Sequence, residues 1–128
     1  MVELRKEQPG SGPIITAFTP TGFRLDDRSF DGGLLLTPLR ADGWSSPAID
    51  RLDEADVAPL LSLDPPLEFI LLGTGPGLIH PPRNFVRALE ARGLGVDAMD
   101  SRAAARAWGV LRGEDRWIGA AIMPLHQA

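Results

Sequence analysis

The segment Leu71-Leu72-Gly73-Thr74-Gly75-Pro76-Gly77-Leu78-Ile79-His80-Pro81-Pro82 poses the first chemical question, because a glycine-rich turn between an apolar run and a helix can cradle a phosphate with its free N–H groups. A dinucleotide site needs a third glycine that lets the helix approach the strand, and the spacing set by Gly73 and Gly75 puts Leu78 there instead. A P-loop needs Gly-Lys followed by Ser or Thr, whereas the only lysine of the chain is Lys6. Neither nucleotide motif is present. The turn therefore reads first as a place where the backbone needs positive φ, with a ligand on its N–H groups as the alternative.

The remaining reactive residue types form no catalytic set. His80 and His126 are the only imidazoles, and a Ser101–His80–Asp100 triad would need the ring between two residues adjacent in sequence. His80, Asp97 and Asp100 lack the helical two-histidine spacing of a zinc site, and the absence of cysteine removes thiolate catalysis, zinc–thiolate and iron–sulfur ligation. The acidic run Asp53-Glu54-Ala55-Asp56 suits the first turn of a short helix better than paired carboxylates for acid–base work. Trp44, Trp108 and Trp117 are too scattered for a stacking platform and are expected in the core. Two polar groups are left. Asp100, Ser101 and Arg102 open a helix, where Asp100 or Ser101 caps and Arg102 runs against the dipole; Arg102 reads first as a solvated side chain, with a carboxylate, an anion or a partner beside it as the alternative. Glu114 and Arg116 flank a tight turn as a surface pair or as cleft lining.

Those residues need a scaffold. With 128 residues, 44% apolar and 23% charged, the chain suits one folded domain. Residues 1–13 read as a flexible arm and 14–125 as the domain. A net charge of −4 argues against nucleic acid, and no apolar stretch approaches the length of a membrane span. The expectation is a cytoplasmic protein without membrane insertion.

Periodicity supplies the elements. Ile14–Phe18 and Phe23–Leu25 flank Thr19-Pro20-Thr21-Gly22 as a hairpin, and Gly32–Leu39 gives a third strand before a turn-like Ala41-Asp42-Gly43-Trp44. Asp53–Leu63 allows one or two helical turns, limited by Pro59. Leu67–Gly73 reads as a central strand, Arg83–Gly93 as a helix opened by Pro81 and Pro82 and stopped at Gly93, and Leu94–Met99 as the next strand. A helix from Asp100 to Gly113 follows, and Arg116–Pro124 closes as a second central strand. The result is an α/β fold with a mixed sheet: an N-terminal antiparallel β part, then β-α-β-α-β with helices packed on the sheet. Parallel strands ending at Leu72 and Met99 would bring the glycine turn beside Asp100–Arg102, at the carboxyl edge where open α/β sheets bind ligands.

Taken together, Ile70–Gly77, Pro81-Pro82, Leu89–Leu111, Glu114–Pro124 and upstream Gly32–Pro38 resemble the Mth-domain family of unknown function, over about residues 14–124. The most specific part is Met99-Asp100-Ser101-Arg102-Ala103-Ala104 with Glu114-x-Arg116 and Ala120-Ala121-x-x-Pro124. The chain departs from the family pattern at Ser101, Ala105, Trp108 and Gly109, where threonine, cysteine, tyrosine and asparagine are usual. The resemblance implies a compact α/β fold, no cofactor and no established catalytic activity. A mitochondrial member of the family assists assembly of an NADH dehydrogenase at a membrane. By that analogy the chain is expected to be a non-enzymatic interaction protein whose partners are respiratory-complex or membrane-biogenesis subunits, with a homodimer as a further expectation. Its expected surface comprises Gly73, Thr74, Gly75, Asp100, Ser101, Arg102, Glu114 and Arg116. The alternative is a small-molecule or anion-binding domain, an enzyme included, holding an anion between the glycine turn and Arg102.

Overall fold

The computed structural model describes residues 12–26 and 28–126, so residues 1–11 of the expected N-terminal arm lie outside it. Among the described residues, eight strands, two α-helices and two 3₁₀ segments follow in the order β1 Ala17–Phe18, β2 Gly22–Leu25, β3 Arg28–Asp31, β4 Gly33–Leu36, β5 Ala41–Trp44, 3₁₀ turns at Ile49–Arg51 and Glu54–Leu60, β6 Phe69–Gly73, α1 Arg83–Glu90, β7 Gly95–Met99, α2 Ser101–Gly113 and β8 Gly119–Ile122. They form a three-stranded antiparallel sheet, β1-β2-β3, and a five-stranded mixed sheet, β5-β4-β8-β6-β7. The N-terminal hairpin is thus a layer of its own, while β4 and β5 extend the main sheet.

Both strands read as central are interior. β8 is parallel to β6, with Leu72 opposite Ala121, and antiparallel to β4, with Leu34 opposite Ile122. β6 is flanked by β8 and β7, and β7 forms an edge. Strand alternation sorts the apolar residues into two cores. Leu35, Ile70, Leu72 and Ala121 face Val57, Leu60, Phe85 and Leu89 from the 3₁₀ segment and α1. Leu34, Leu36, Leu71, Ala120 and Ile122 face Phe23 of β2 and Ala104 and Trp108 of α2. The two helices occupy opposite faces because the chain steps outward from β6 to β7 and then back past β6 to β8; with right-handed crossovers, reversing direction reverses the face.

Two local expectations change. Ala41–Trp44 has a turn-like composition but pairs with β4, Leu36 opposite Ala41 and Gly33 opposite Trp44. The turn lies earlier, where Thr37 Oγ1 accepts from the N–H groups of Leu39 and Arg40, both at 3.1 Å. Arg28–Asp31 pairs with β2 as an additional strand. The segment Glu54–Leu60 is short as expected, with the Asp53 N–H donating to Asp56 Oδ2 at 2.9 Å at its start and Pro59 inside it.

Candidate functional site

The parallel strands β6 and β8 end side by side, and the connection after β6 leaves toward one face while α2 covers the other. This is the crevice in which open α/β sheets bind ligands. Here it is filled by Ser101. The Ser101 hydroxyl donates to the Met123 carbonyl at 2.6 Å and accepts from the Gly75 N–H at 2.8 Å, while its own N–H donates to the Gly75 carbonyl at 2.8 Å. The side chain is fully buried. Its proton is committed to a backbone carbonyl, so it has no geometry for a nucleophile served by His80, which is exposed.

Two glycines make this fit. A Cβ on Gly73 would lie 2.8 Å from Ile122 Cγ2 and 2.9 Å from Ser101 Oγ, so a larger residue would push α2 off the sheet. Gly75 has φ of +100°, a conformation that L side chains rarely adopt. Thr74, also buried, completes the loop: its N–H donates to Met99 O at 2.9 Å, its hydroxyl donates to Gly77 O at 2.6 Å, and its Oγ1 accepts from Ile79 N at 3.1 Å. The glycine turn is therefore a structural clasp whose Thr74, Gly75 and Ile79 N–H groups are all spent within the chain. What it presents outward is apolar: Leu78 and Ile79 are 54% and 49% exposed.

The expected site residues divide into two groups. Gly73, Thr74, Gly75, Asp100, Ser101 and Arg102 come together at the carboxyl edge. Asp100 caps α2, accepting from Ala103 N at 2.8 Å. Arg102 is exposed, and its guanidinium lies 5.5 Å from the centroid of the Phe18 ring, with no carboxylate paired to it among the described residues. Glu114 and Arg116 sit at the opposite end of the sheet, beside the starts of β6 and β8, and do not pair with each other. Arg116 instead donates to Glu68 Oε1 through Nε at 2.9 Å and Nη2 at 2.7 Å, and Trp117 N–H donates to Glu68 Oε2 at 3.1 Å. Those hydrogen bonds, Arg116 first and then the Trp117 N–H, hold the Glu68 carboxyl below its ordinary value. Arg112, on the buried side, donates to the Arg116 carbonyl at 2.6 Å and stands 3.9 Å from Asp115.

An open cleft of ≈ 640 Å³ at the carboxyl end was not visible to sequence reasoning, being lined by Thr21, Asp31, Gly33, Trp44, Ser45 and His126 from four separate segments. Thr21 Oγ1 donates to Asp31 Oδ1 at 2.6 Å, and the Trp44 indole N–H donates to Asp56 O at 3.0 Å. Among the described residues no group of acidic or histidine side chains could hold a metal ion, and no helix is long and apolar enough to cross a membrane.

Residues 15–123 match the model of a family described as "Protein of unknown function (DUF498/DUF598)". An uncharacterized protein of Rhodobacter capsulatus is 32% identical over 124 residues, covering 95% of this chain and 94% of that one. The zebrafish NADH dehydrogenase [ubiquinone] 1 alpha subcomplex assembly factor 3 is 23% identical over 123 residues, covering 96% of this chain and 71% of its own. Among solved structures, a Bartonella henselae chain described as an outer membrane protein superposes with a TM-score of 0.80 at 29% identity, covering 91% of this chain and 97% of that one. A Mth938-like domain of Bordetella pertussis shares the fold, with a TM-score of 0.77 at 22% identity, covering 91% of this chain and 88% of its own.

Proposed function

We propose, from the premise that this chain belongs to the DUF498/DUF598 family of proteins of unknown function, that it is a non-enzymatic interaction protein assisting assembly of a membrane respiratory complex. The relatives named as assembly factors supply the direction of this reading. One observation carries it for this chain: the loop clasped by Thr74 is fixed by three hydrogen bonds yet holds Leu78 and Ile79 out into solvent. A preorganised apolar tip loses little entropy on docking, which favours a protein partner there. The buried Gly73, Thr74, Gly75 and Ser101 act as the support of that surface, and Pro76, Gly77, Leu78 and Ile79 are its contact residues.

The test is affinity capture of the tagged full-length protein from detergent-solubilised membranes of its own cells, with Leu78→Glu/Ile79→Glu in parallel. Recovery of respiratory-complex or membrane-biogenesis subunits by wild type and their loss in the variant is expected. Identical recovery by both forms would remove the loop from the reading, and recovery of nothing but the bait itself would leave a homodimer contact in its place.

A second reading, a small-molecule domain, is favoured by the ≈ 640 Å³ cleft with its Asp31 carboxylate and serine hydroxyls. A thermal scan over nucleotides, phosphosugars and carboxylates tests it, since free ligand at about 100 times its Kd adds roughly 2.7 kcal/mol of stability. A flat scan would discard this second reading.

A further inference from the structure

A separate groove of ≈ 350 Å³ runs between β1 and α2, lined by Ile15–Phe18 on one side and Arg102, Ala105, Arg106 and Gly109 on the other. Its walls are antiparallel. At one end the Trp108 indole N–H donates to Pro13 O at 2.9 Å, and at the other Arg102 lies over Phe18. The strand wall has an open edge among the described residues, where β1 pairs with β2 alone. Thr19 and Gly22 exchange both backbone hydrogen bonds, at 3.0 and 3.4 Å, so the next pair, Phe18 and Phe23, is a non-bonded one, and the Phe18 N–H and C=O point away from β2. The helix wall is cationic in an acidic protein. α2 carries Arg102, Arg106 and Arg112 and no acidic residue, and neither Arg102 nor Arg106 forms an ion pair among the described residues. Its floor is low: a Cβ on Gly109 would meet nothing within 4 Å.

We propose that this groove binds an extended acidic peptide segment of a partner protein, added as a strand along β1 with its carboxylates on Arg102 and Arg106. The spacing favours this occupant. Arginines four apart on a helix are separated by about 6 Å along its axis, and side chains at alternate positions of a strand by about 6.6 Å. A peptide with glutamates at alternate positions therefore matches both cations while its backbone faces the free edge, the arrangement of strand addition with side-chain pockets setting specificity. Arg102 engages a carboxylate without leaving Phe18, since a guanidinium can stack and pair at once. The surface is distinct from the Leu78–Ile79 loop, so the two proposals fail or survive separately.

The test is fluorescence anisotropy of the full-length protein with a labelled synthetic peptide, acetyl-Thr-Val-Glu-Val-Glu-Val-Thr-amide. Three controls accompany it: a form with both glutamates replaced by glutamine, a form N-methylated at alternate amides, and vesicles of phosphatidylcholine with phosphatidylglycerol. Saturable binding is expected, weakened about tenfold or more by the glutamine form, by N-methylation and by Arg106→Gln, the scale of one lost charge-assisted contact. Gly109→Leu fills open space and keeps the fold, verified by its circular dichroism and melting, and should abolish binding. Amide shifts in the NMR spectrum should centre on Ile15–Phe18. No binding, unchanged binding to the N-methylated peptide or to Gly109→Leu, or vesicle binding that Arg106→Gln abolishes while the peptide stays unbound would each overturn the proposal.

Discussion

Ser101 rests its hydroxyl where Gly73 lacks a side chain: a Cβ on Gly73 would stand 2.9 Å from Ser101 Oγ and 3.1 Å from Ser101 Cα. The two positions are complementary, and both are needed to bring the start of α2 against the ends of β6 and β8. Ser101→Ala leaves the buried Gly75 N–H and Met123 carbonyl without that partner, at a cost of about 1–3 kcal/mol. Gly73→Ala is expected to cost more, and adding Ser101→Ala to it should recover only part of the loss because the contact with Ser101 Cα persists. Urea unfolding of the two single variants and the double variant measures the coupling.

The cap at Asp100 is a local matter. Asp100→Ala removes the acceptor for Ala103 N–H and should cost about 1 kcal/mol, with Asp100→Asn recovering most of it. Thermal unfolding followed by circular dichroism distinguishes the two. Equal loss in both variants would mean that the negative charge, and not the hydrogen bond, carries the effect.

Thr74→Val keeps the shape of the side chain and removes its hydroxyl. The Ile79 N–H and Gly77 carbonyl then lose their shared anchor, so the Ile79 amide should exchange with solvent at least about tenfold faster, the rate change that about 1.4 kcal/mol of local opening produces. Hydrogen exchange read by NMR gives the answer directly. Protection unchanged at Ile79 would show the loop to be held by its prolines alone.

The pair Glu68–Arg116 sets an acid-side dependence. The folded state holds the Glu68 carboxyl below its ordinary value of 4.5, so its contribution is complete above that pH and is lost as pH falls through the lower folded value. Glu68→Gln should flatten the stability–pH curve in that acidic window and change its shape little at neutral pH. Denaturant midpoints from pH 3 upward test the sign. A variant curve parallel to wild type throughout would contradict it.

Much of the fold is legible in the sequence because the elements from Phe69 onward are long or sharply punctuated. Pro81 and Pro82 open α1, Gly93 closes it at φ of +82°, and the apolar runs at Ile70–Leu72 and Gly119–Ile122 are buried on both faces as their composition requires. β5 is not legible, since Ala41-Asp42-Gly43-Trp44 becomes a strand only through pairing with β4 while the turn is set by Thr37. The site divides in the same way. Asp100 is recognisable as a cap because capping is local. Ser101 is not recognisable as a plug, because its partners Gly75 and Met123 lie 26 and 22 residues away. Arg116 selects Glu68 over the nearby Glu114 for a like reason: only the parallel register of β6 and β8 brings the two together.

The strand order also has a temporal meaning. Among the described residues β8 is the last strand in sequence and lies between β4 and β6, so it joins the N-terminal strands to the helical half of the sheet. During synthesis β4 and β6 each wait with an unpaired edge until β8 emerges, and closure is then a single late event that depends on contacts remote in sequence. The nascent chain is thus most vulnerable to wrong partners in the interval before β8 emerges.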